Sequence, residues 1–273
     1  MRAIAVITLC LAPVTAALAA PEADLWEHWQ AHDENATQTI DHGAFDAFLE
    51  TYVVAHEHAP NGVRYGDVTP ADRRALADYV ERMQEIDIDR YSRDVQRAYW
   101  TNLYNAVTLE FVLDGYPVDS IRDIGGGLFS KGPWNKEVLR IDGEKLSLND
   151  IEHRILRPIW DDGMTHYGVN CASMGCPDLR PEAYTGDTIW AQLRDNARDY
   201  VNSPAGVRFD DGELIVSRIY EWYRRDFGHS DQAIISELRR HAAPALSTRL
   251  DARDTIDGYA YDWSLNDEAA MDD

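Results

Sequence analysis

Cys171 is the side chain best suited to covalent chemistry in this sequence, and it lies in the segment NCASMGCP at residues 170–177. A cysteine thiolate is a strong nucleophile near neutral pH when a positive neighbour or a helix N-terminus lowers its pKa. His166 precedes it by five residues, and His153 lies on the preceding predicted helix. Either imidazole could act as a general base, and this group of residue types is typical of acyl transfer or amide hydrolysis.

Two asparagines could complete a catalytic set around this cysteine. Asn170 or Asn105 could orient a histidine or donate a hydrogen bond to an oxyanion. We therefore expect a thiol-dependent hydrolase or acyltransferase that acts on small peptides or amides, with Cys171 as the nucleophile. The base stays open between His166 and His153, and whether the protein is an enzyme at all also stays open.

A disulfide between Cys171 and Cys176 is the competing prediction. The two cysteines are five residues apart, which differs from the redox Cys-x-x-Cys signature. A disulfide would exclude simple thiolate catalysis while it is formed. We then expect a non-catalytic module whose pocket binds a small molecule, a peptide or an envelope partner, with Asn102, Glu152 and Tyr104 as ligand-binding residues.

Metal binding is a third hypothesis for the same segment. Cys171, Cys176, His166 and His153 are residue types that suit zinc or copper(I). The two leading hypotheses need no cofactor and no metal, so the sequence assigns none.

The first nineteen residues have the pattern of a secretory signal peptide. Arg2 precedes an apolar run over residues 3–14, and small residues end at Ala19, after which we expect cleavage. The apolar run is too short to anchor the chain in a bilayer. Cleavage would remove Cys10 and leave two cysteines in an oxidising compartment, so we expect a periplasmic or secreted protein.

The overall charge restricts the partners that this chain could have. Among 273 residues, 48 are acidic and 26 are Lys or Arg, which gives a formal net charge of −22. Binding to nucleic acid or to anionic lipid needs a basic surface, so we expect neither. No later stretch reaches about 18 continuous apolar residues, so we expect no membrane span in the mature protein. The oligomeric state stays open.

The element pattern favours an α+β fold. A helix over roughly Arg93 to Asp114, capped by Ser92 and ended by Gly115, is apolar on nearly all faces, which predicts a buried central helix. Asn102 and Asn105 on this helix would then need buried hydrogen-bond partners. Two short antiparallel hairpins are predicted around the Asp-Gly turns at residues 142–143 and 211–212.

The chain divides into a signal peptide at residues 1–19, a helical lead-in at 20–94, a core domain at 95–250 and an acidic tail at 251–273. We expect the tail to be loosely held. We also expect a helix at residues 147–157 that Pro158 ends, and a strand at residues 164–169. In a strand, His166 and Cys171 need not share a face. The aromatic and acidic cluster at residues 222–227 is interpreted as core and capping.

Several motifs carry a family resemblance. They are residues 99–106 (YWTNLYNA), 115–124 (GYPVDSIRDI), 146–157, 166–177 and 220–227. Together they span roughly residues 95–230, and they resemble the bacterial and plant family catalogued as domain of unknown function 547. The resemblance implies an exported bacterial member, but no established activity.

A second likeness concerns the outline of the fold. A long buried helix that ends in Gly-Tyr-Pro-Val, followed by residues 134–138 (WNKEV) and a hairpin, is similar to the transglutaminase-like branch of papain-like folds. In that branch a cysteine opens the central helix and a histidine precedes the Trp-Asn-x-x-Val strand. Here Asn102 or Asn105 and Pro133 stand at those places. The likeness implies a papain-like core without the usual triad.

Overall fold

The computed structural model describes residues 21–56, 60–125 and 132–271. The predicted signal peptide, with Cys10, lies outside the described residues. Helices dominate the described chain and the sheets are small, so the predicted α+β class is confirmed. The papain-like outline stays a prediction.

The described α-helices are α1 (Gly43–Tyr52), α2 (Pro70–Gln84), α3 (Arg93–Gly115), α4 (Arg157–Trp160), α5 (Thr165–Gly168), α6 (Ile189–Val201), α7 (Ile219–Trp222), α8 (Asp231–His241) and α9 (Pro244–Asp251). A π-helical segment, Asp150–Leu156, leads directly into α4. Short 3-10 helices occupy Glu27–Gln30, Tyr65–Asp67, Ile88–Arg90, Ile121–Asp123 and Glu268–Ala270.

The strands form three small sheets. They are β1 (Val53–Val54), β2 (Gly62–Val63), β3 (Leu139–Ile141), β4 (Glu144–Leu146), β5 (Val207–Asp210), β6 (Glu213–Ser217) and β7 (Gly258–Ala260). The pairs β1–β2, β3–β4 and β5–β6 are antiparallel, and β7 runs parallel to β6.

Both predicted hairpins are confirmed, and the reason is local. Asp142 and Gly143 have φ values of 47° and 81°, and Asp211 and Gly212 have φ values of 49° and 91°. Asp and Gly tolerate these left-handed conformations, which match the twist of the flanking strands. Each hairpin then aligns its strands without an intervening loop.

Helix α3 is the centre of the larger hydrophobic core, as its pattern predicts. Trp100, Leu103 and Val107 are buried on it. Helix α2, the π-helical segment and α6 pack against it, and α1 packs against α2. A second core forms between α6, α8 and the sheet β5–β6–β7, with Tyr200 and Leu214 among its members. The candidate site lies between these two cores.

Two local predictions were wrong. Residues 164–169 contain helix α5 and not a strand. Gly168 at its end lets α5 pack closely against α6, because a Cβ there would lie 2.7 Å from a methyl group of Leu193. Pro158 does not end its helix, since it occupies the first turn of α4, where a proline ring is tolerated.

The C-terminal residues pack against the rest of the fold, whereas their acidic composition predicts a loosely held tail. Strand β7 pairs with β6, and Leu265 and Asn266 beyond it are buried. Tyr259, Tyr261, Trp263 and Leu265 are apolar at every second position, which is a strand signal that the acidic residues between and around them obscure. The described helices include none that is both long and apolar enough to cross a membrane.

Candidate functional site

A cavity of about 880 Å³ opens between the two cores. This volume lies within the range of small-molecule sites in proteins. Its polar lining comes chiefly from the π-helical segment, α5 and the disulfide loop, and its aromatic lining from α7 and the C-terminal residues. The lining includes Tyr104, Arg122, Trp134, Glu152, His153, His166, Cys171, Cys176, Arg218, Trp222, Tyr223, Tyr261 and Trp263.

Glu152 lies at the base of this cavity and is only 5% exposed. The Tyr104 hydroxyl on α3 donates a hydrogen bond to its Oε2 over 3.1 Å. The Nδ1 atoms of His153 and His166 each lie 3.8 Å from its Oε1. One buried carboxylate therefore sits between two imidazole rings.

Asp226 and Arg157 hold the two histidines in position through hydrogen bonds. His166 Nε2 lies 2.7 Å from Asp226 Oδ2, and the Arg157 Nε atom donates to the same oxygen over 2.6 Å. The His166 ring also stacks on Tyr223 with 3.9 Å between ring centroids. The position of the His166 ring is therefore fixed both at its edge and on its face. We call Glu152, His153, Arg157, His166 and Asp226 the acid–base cluster.

The contact with Arg157 determines the tautomer of His153. The Arg157 Nη1 atom lies 3.1 Å from His153 Nδ1. A guanidinium can only donate, so Nδ1 must accept, and the proton of the neutral ring is on Nε2. Burial lowers the pKa of His153, and the charge of Arg157 lowers it further against the opposing effect of Glu152. His153 is therefore a neutral imidazole at pH 7.

The two carboxylates of the cluster are ionised. Burial alone would raise the pKa of Glu152, but His153, His166 and Arg157, which favour the ionised carboxylate, hold it below its usual value. Burial also opposes ionisation of Asp226, and hydrogen bonds from His166 and Arg157 hold its pKa well below its usual value. The cavity thus contains a charged carboxylate, Glu152, in a largely water-excluded place.

Aromatic side chains form another part of the cavity lining. Trp222, Tyr261 and Trp263 lie with ring centroids 4.7–5.6 Å apart, and Trp134 lies 5.9 Å from Trp263. We call these four residues the aromatic wall. Each is half-buried, so each keeps surface available within the cavity.

Cys171 and Cys176 form a disulfide that borders the same cavity. The Cys171 sulfur lies 3.1 Å from the hydroxyl oxygen of Tyr261 and 3.3 Å from that of Ser173. In this bonded state Cys171 cannot act as a nucleophile, which removes the first step of the reaction expected from the sequence.

The predicted asparagines form hydrogen bonds with backbone groups and do not line the cavity. Asn105 donates to the Gly168 carbonyl over 3.0 Å and accepts the Asn170 N–H over 2.8 Å. Asn102 makes the same kind of paired contact with the backbone of Tyr184. The Asn170 side chain spans its own loop, where it donates to the Pro177 carbonyl. These amides position the loop that carries the cysteines.

The structure therefore brings together six of the predicted site residues around one cavity. They are Tyr104, Glu152, His153, His166, Cys171 and Cys176. Sequence reasoning missed Arg157, Asp226, Tyr261 and Trp263. Asp226 was interpreted as part of a core and capping cluster. It lies 60 residues from His166 along the sequence, so no local pattern indicates that the two residues pair. The alternating aromatic residues near the C-terminus are the signal that could have identified Tyr261 and Trp263.

The proposed metal set does not assemble. Within residues 21–56, 60–125 and 132–271, no three His, Cys, Asp or Glu side chains are arranged to hold a metal ion. The sulfurs of Cys171 and Cys176 are bonded to each other, and His166 Nε2 and His153 Nδ1 face Asp226 and Arg157.

The comparison with protein families supports the resemblance inferred from the motifs. Residues 88–201 match the family described as "Protein of unknown function, DUF547". This range covers α3, the π-helical segment, α5, the disulfide loop and α6. No curated protein and no solved structure matches the chain. The likeness to transglutaminase-like proteins is not shown.

Proposed function

We propose that this chain, similar to DUF547 over residues 88–201, binds a small organic molecule with a cationic amine in its cavity. The observation that carries the proposal is the ionised Glu152 at the base of an aromatic-lined cavity. An amine would form a charge-assisted hydrogen bond with this carboxylate. The rest of the molecule would pack against the aromatic wall. A free peptide amine has the same chemistry.

The surroundings of Glu152 favour a cation over an anion. The faces of Trp and Tyr rings attract positive charge, and the net charge of −22 attracts cations over longer distances. Three arginines lie in this region. Arg157 contacts Asp226 and Arg218 contacts Glu221, so the charges of these two are largely compensated. Arg122 lies over the Trp263 ring, 5.1 Å from its centroid, and is a positive charge that the ligand must share the cavity with.

Fluorescence titration tests this proposal, since three tryptophans line the cavity. The probes are benzylammonium, benzyl alcohol and benzoate, which share a ring and differ in charge. We expect benzylammonium to bind most tightly and benzoate to bind least. The Glu152→Gln variant keeps the shape of the side chain and removes its charge, so it should lose the preference for benzylammonium. Equal binding of the three probes, or an unchanged preference in the variant, would contradict the proposal.

The thiol-dependent hydrolysis or acyl transfer expected from the sequence is the second candidate function. The observation in its favour is that Cys171, His153 and His166 border one cavity. The reaction would need the reduced form of the protein, because a free Cys171 thiolate must attack the carbonyl carbon. Turnover of a peptide amide that appears only after reduction, and disappears in Cys171→Ser, would support it. Turnover by the oxidised protein would exclude this mechanism.

Export is part of the same proposal. The signal-peptide pattern of residues 1–19 supports it, and so does the disulfide, because such bonds persist mainly in oxidising compartments. Expression of the full chain in a bacterial host should give a periplasmic or secreted protein whose N-terminus is Ala20. An uncleaved chain in the cytoplasm would contradict this expectation.

A further inference from the structure

The disulfide presents its two sulfurs unequally to the cavity. Both cysteines border the cavity, but Cys171 is half-buried whereas Cys176 is only 5% exposed. A small molecule inside the cavity therefore reaches Cys171 more readily. Exposed disulfides are the ones that exchange with thiols, because the attacking sulfur must approach directly.

The loop between the cysteines is held by contacts that do not need the disulfide. Asn170 accepts the Ala172 N–H and donates to the Pro177 carbonyl, both over 2.8 Å. The Tyr200 hydroxyl donates to the Gly175 carbonyl over 2.7 Å. A disulfide that closes so short a loop contributes less chain-entropy stabilisation than one that closes a long loop. Because the hydrogen bonds hold the loop independently, loss of the disulfide should leave the loop in position.

Two donors surround the sulfur of Cys176. The backbone N–H of Cys171 donates to it over 3.0 Å. The Tyr261 hydroxyl oxygen lies 3.2 Å from it and 3.1 Å from the Cys171 sulfur, so this hydroxyl can donate to whichever sulfur becomes the thiolate. Burial raises the pKa of Tyr261, so this hydroxyl is protonated and can donate. Hydrogen bonds to a charged acceptor are stronger than those to a neutral one, so both donors would stabilise a thiolate at Cys176.

We propose that the Cys171–Cys176 disulfide exchanges with small aliphatic thiols that enter the cavity. The incoming thiolate attacks the Cys171 sulfur, and a new sulfur–sulfur bond forms there as the bond to Cys176 breaks. The electron pair goes to Cys176, whose thiolate is held by the Cys171 N–H and the Tyr261 hydroxyl. This inference depends on the disulfide and its donors, and not on the cationic ligand proposed above.

A second thiolate of the same kind completes the reaction. It attacks the small-molecule sulfur of the mixed disulfide and releases Cys171 as a thiolate. In total, two small thiols are oxidised to one small disulfide, and the protein disulfide is reduced to two thiols. The two protons of the small thiols end on the cysteines, so atoms and electrons balance. The reverse reaction with a small disulfide regenerates the oxidised protein.

Mapping the mixed disulfide tests which sulfur is attacked. The mature wild-type chain is treated with 2-mercaptoethanol without denaturant, quenched with acid and analysed by peptide mass spectrometry. We expect the mercaptoethanol adduct on Cys171, and we expect the fully reduced protein to keep its circular dichroism spectrum. An adduct predominantly on Cys176, or reduction only at denaturant concentrations that unfold the chain, would overturn the proposal.

The rate of reduction tests the role of Tyr261. Tyr261→Phe keeps the ring and removes one donor to Cys176, so reduction by 2-mercaptoethanol should slow by about tenfold. Tyr259→Phe is the matched control, because its hydroxyl lies in the same C-terminal segment but contacts Arg224. It should react at the wild-type rate. An unchanged rate in Tyr261→Phe, or equal slowing in both variants, would contradict the assigned role, and the mapping experiment stands even if the variant does not fold.

Discussion

The main contribution of Asp226 to the acid–base cluster is a fixed negative charge next to His166. It contacts both His166 and Arg157, and its side chain is only 13% exposed. Removing one member of a buried ion pair leaves the other member without compensation, which is more costly than losing a surface pair. The local arrangement of the cluster therefore depends on this residue, although it does not line the described cavity.

Replacing Asp226 should be costly at neutral pH and much less so in acid. We expect Asp226→Asn to lower the free energy of unfolding by about 3 kcal/mol at pH 7. The pKa of Asp226 is lower in the folded state than the ordinary value of 3.8, so its stabilising effect is present above that value. The effect is lost as the pH falls below 3.8 towards the folded-state value.

Urea denaturation at pH 7 and near pH 2 measures this difference. The control is Asp195→Asn, which removes an exposed ion pair with Arg198 and should cost less than about 1 kcal/mol. A loss in Asp226→Asn that is the same at both pH values would show that its charge is not the cause.

Helix α3 organises the site by holding loops, and not by supplying catalytic amides. Asn105 satisfies the buried carbonyl of Gly168 and the buried N–H of Asn170. Leaving buried backbone groups without partners costs roughly 1–3 kcal/mol for each group. The disulfide loop is therefore attached to the central helix at the residue next to Cys171.

Loss of the Asn105 side chain should loosen this attachment. We expect Asn105→Ala to lower the free energy of unfolding by about 2–4 kcal/mol. Hydrogen exchange at the Asn170 amide should accelerate at the same time, because its acceptor is gone. Asn35→Ala, at an exposed position, is the control and should change stability by less than about 0.5 kcal/mol. Unchanged exchange at Asn170 would mean that Asn105 does not hold the loop.

Helices, caps and hairpins of this chain could be predicted from the sequence because their signals are local. Thr69 and Pro70 begin α2 as expected, and the Asp-Gly turns define two hairpins. The acid–base cluster could be predicted only in part. The contact of His166 with Asp226 depends on how α5 packs near α7, and no pattern within one element encodes that packing.

The C-terminal segment shows a different limit of sequence reasoning. Its composition is acidic, which favours a solvated tail, whereas its alternating apolar residues favour a strand. The structure follows the alternation, because a free sheet edge on β6 is available to pair with β7. The availability of that edge is a property of the whole fold, so composition alone gave the wrong expectation.

At the scale of the whole molecule, the charge of −22 opposes the compact state. Salt shortens the range of this repulsion, since the Debye length falls from about 30 Å at 0.01 M to about 3 Å at 1 M. We expect sodium chloride over this range to raise the free energy of unfolding by about 1 kcal/mol, which corresponds to roughly 2–4 °C in Tm. Thermal melts measured at pH 7 test this expectation.

The same melts near the isoelectric point provide the control. The sequence pI is about 4.6, so the net charge and the repulsion are small there. Salt should then raise Tm much less than at pH 7. If salt lowered Tm at pH 7, attractive ion pairs would outweigh the repulsion, and the charge balance described here would be wrong.

A crystal structure of the mature protein with benzylammonium tests the cation-binding site most directly. We expect the ring beside Trp222, Tyr261 and Trp263, with the ammonium within about 3 Å of a Glu152 carboxylate oxygen. Benzylammonium bound away from Glu152, or a cavity that stays filled by solvent at saturating concentrations of the probe, would contradict the proposed site.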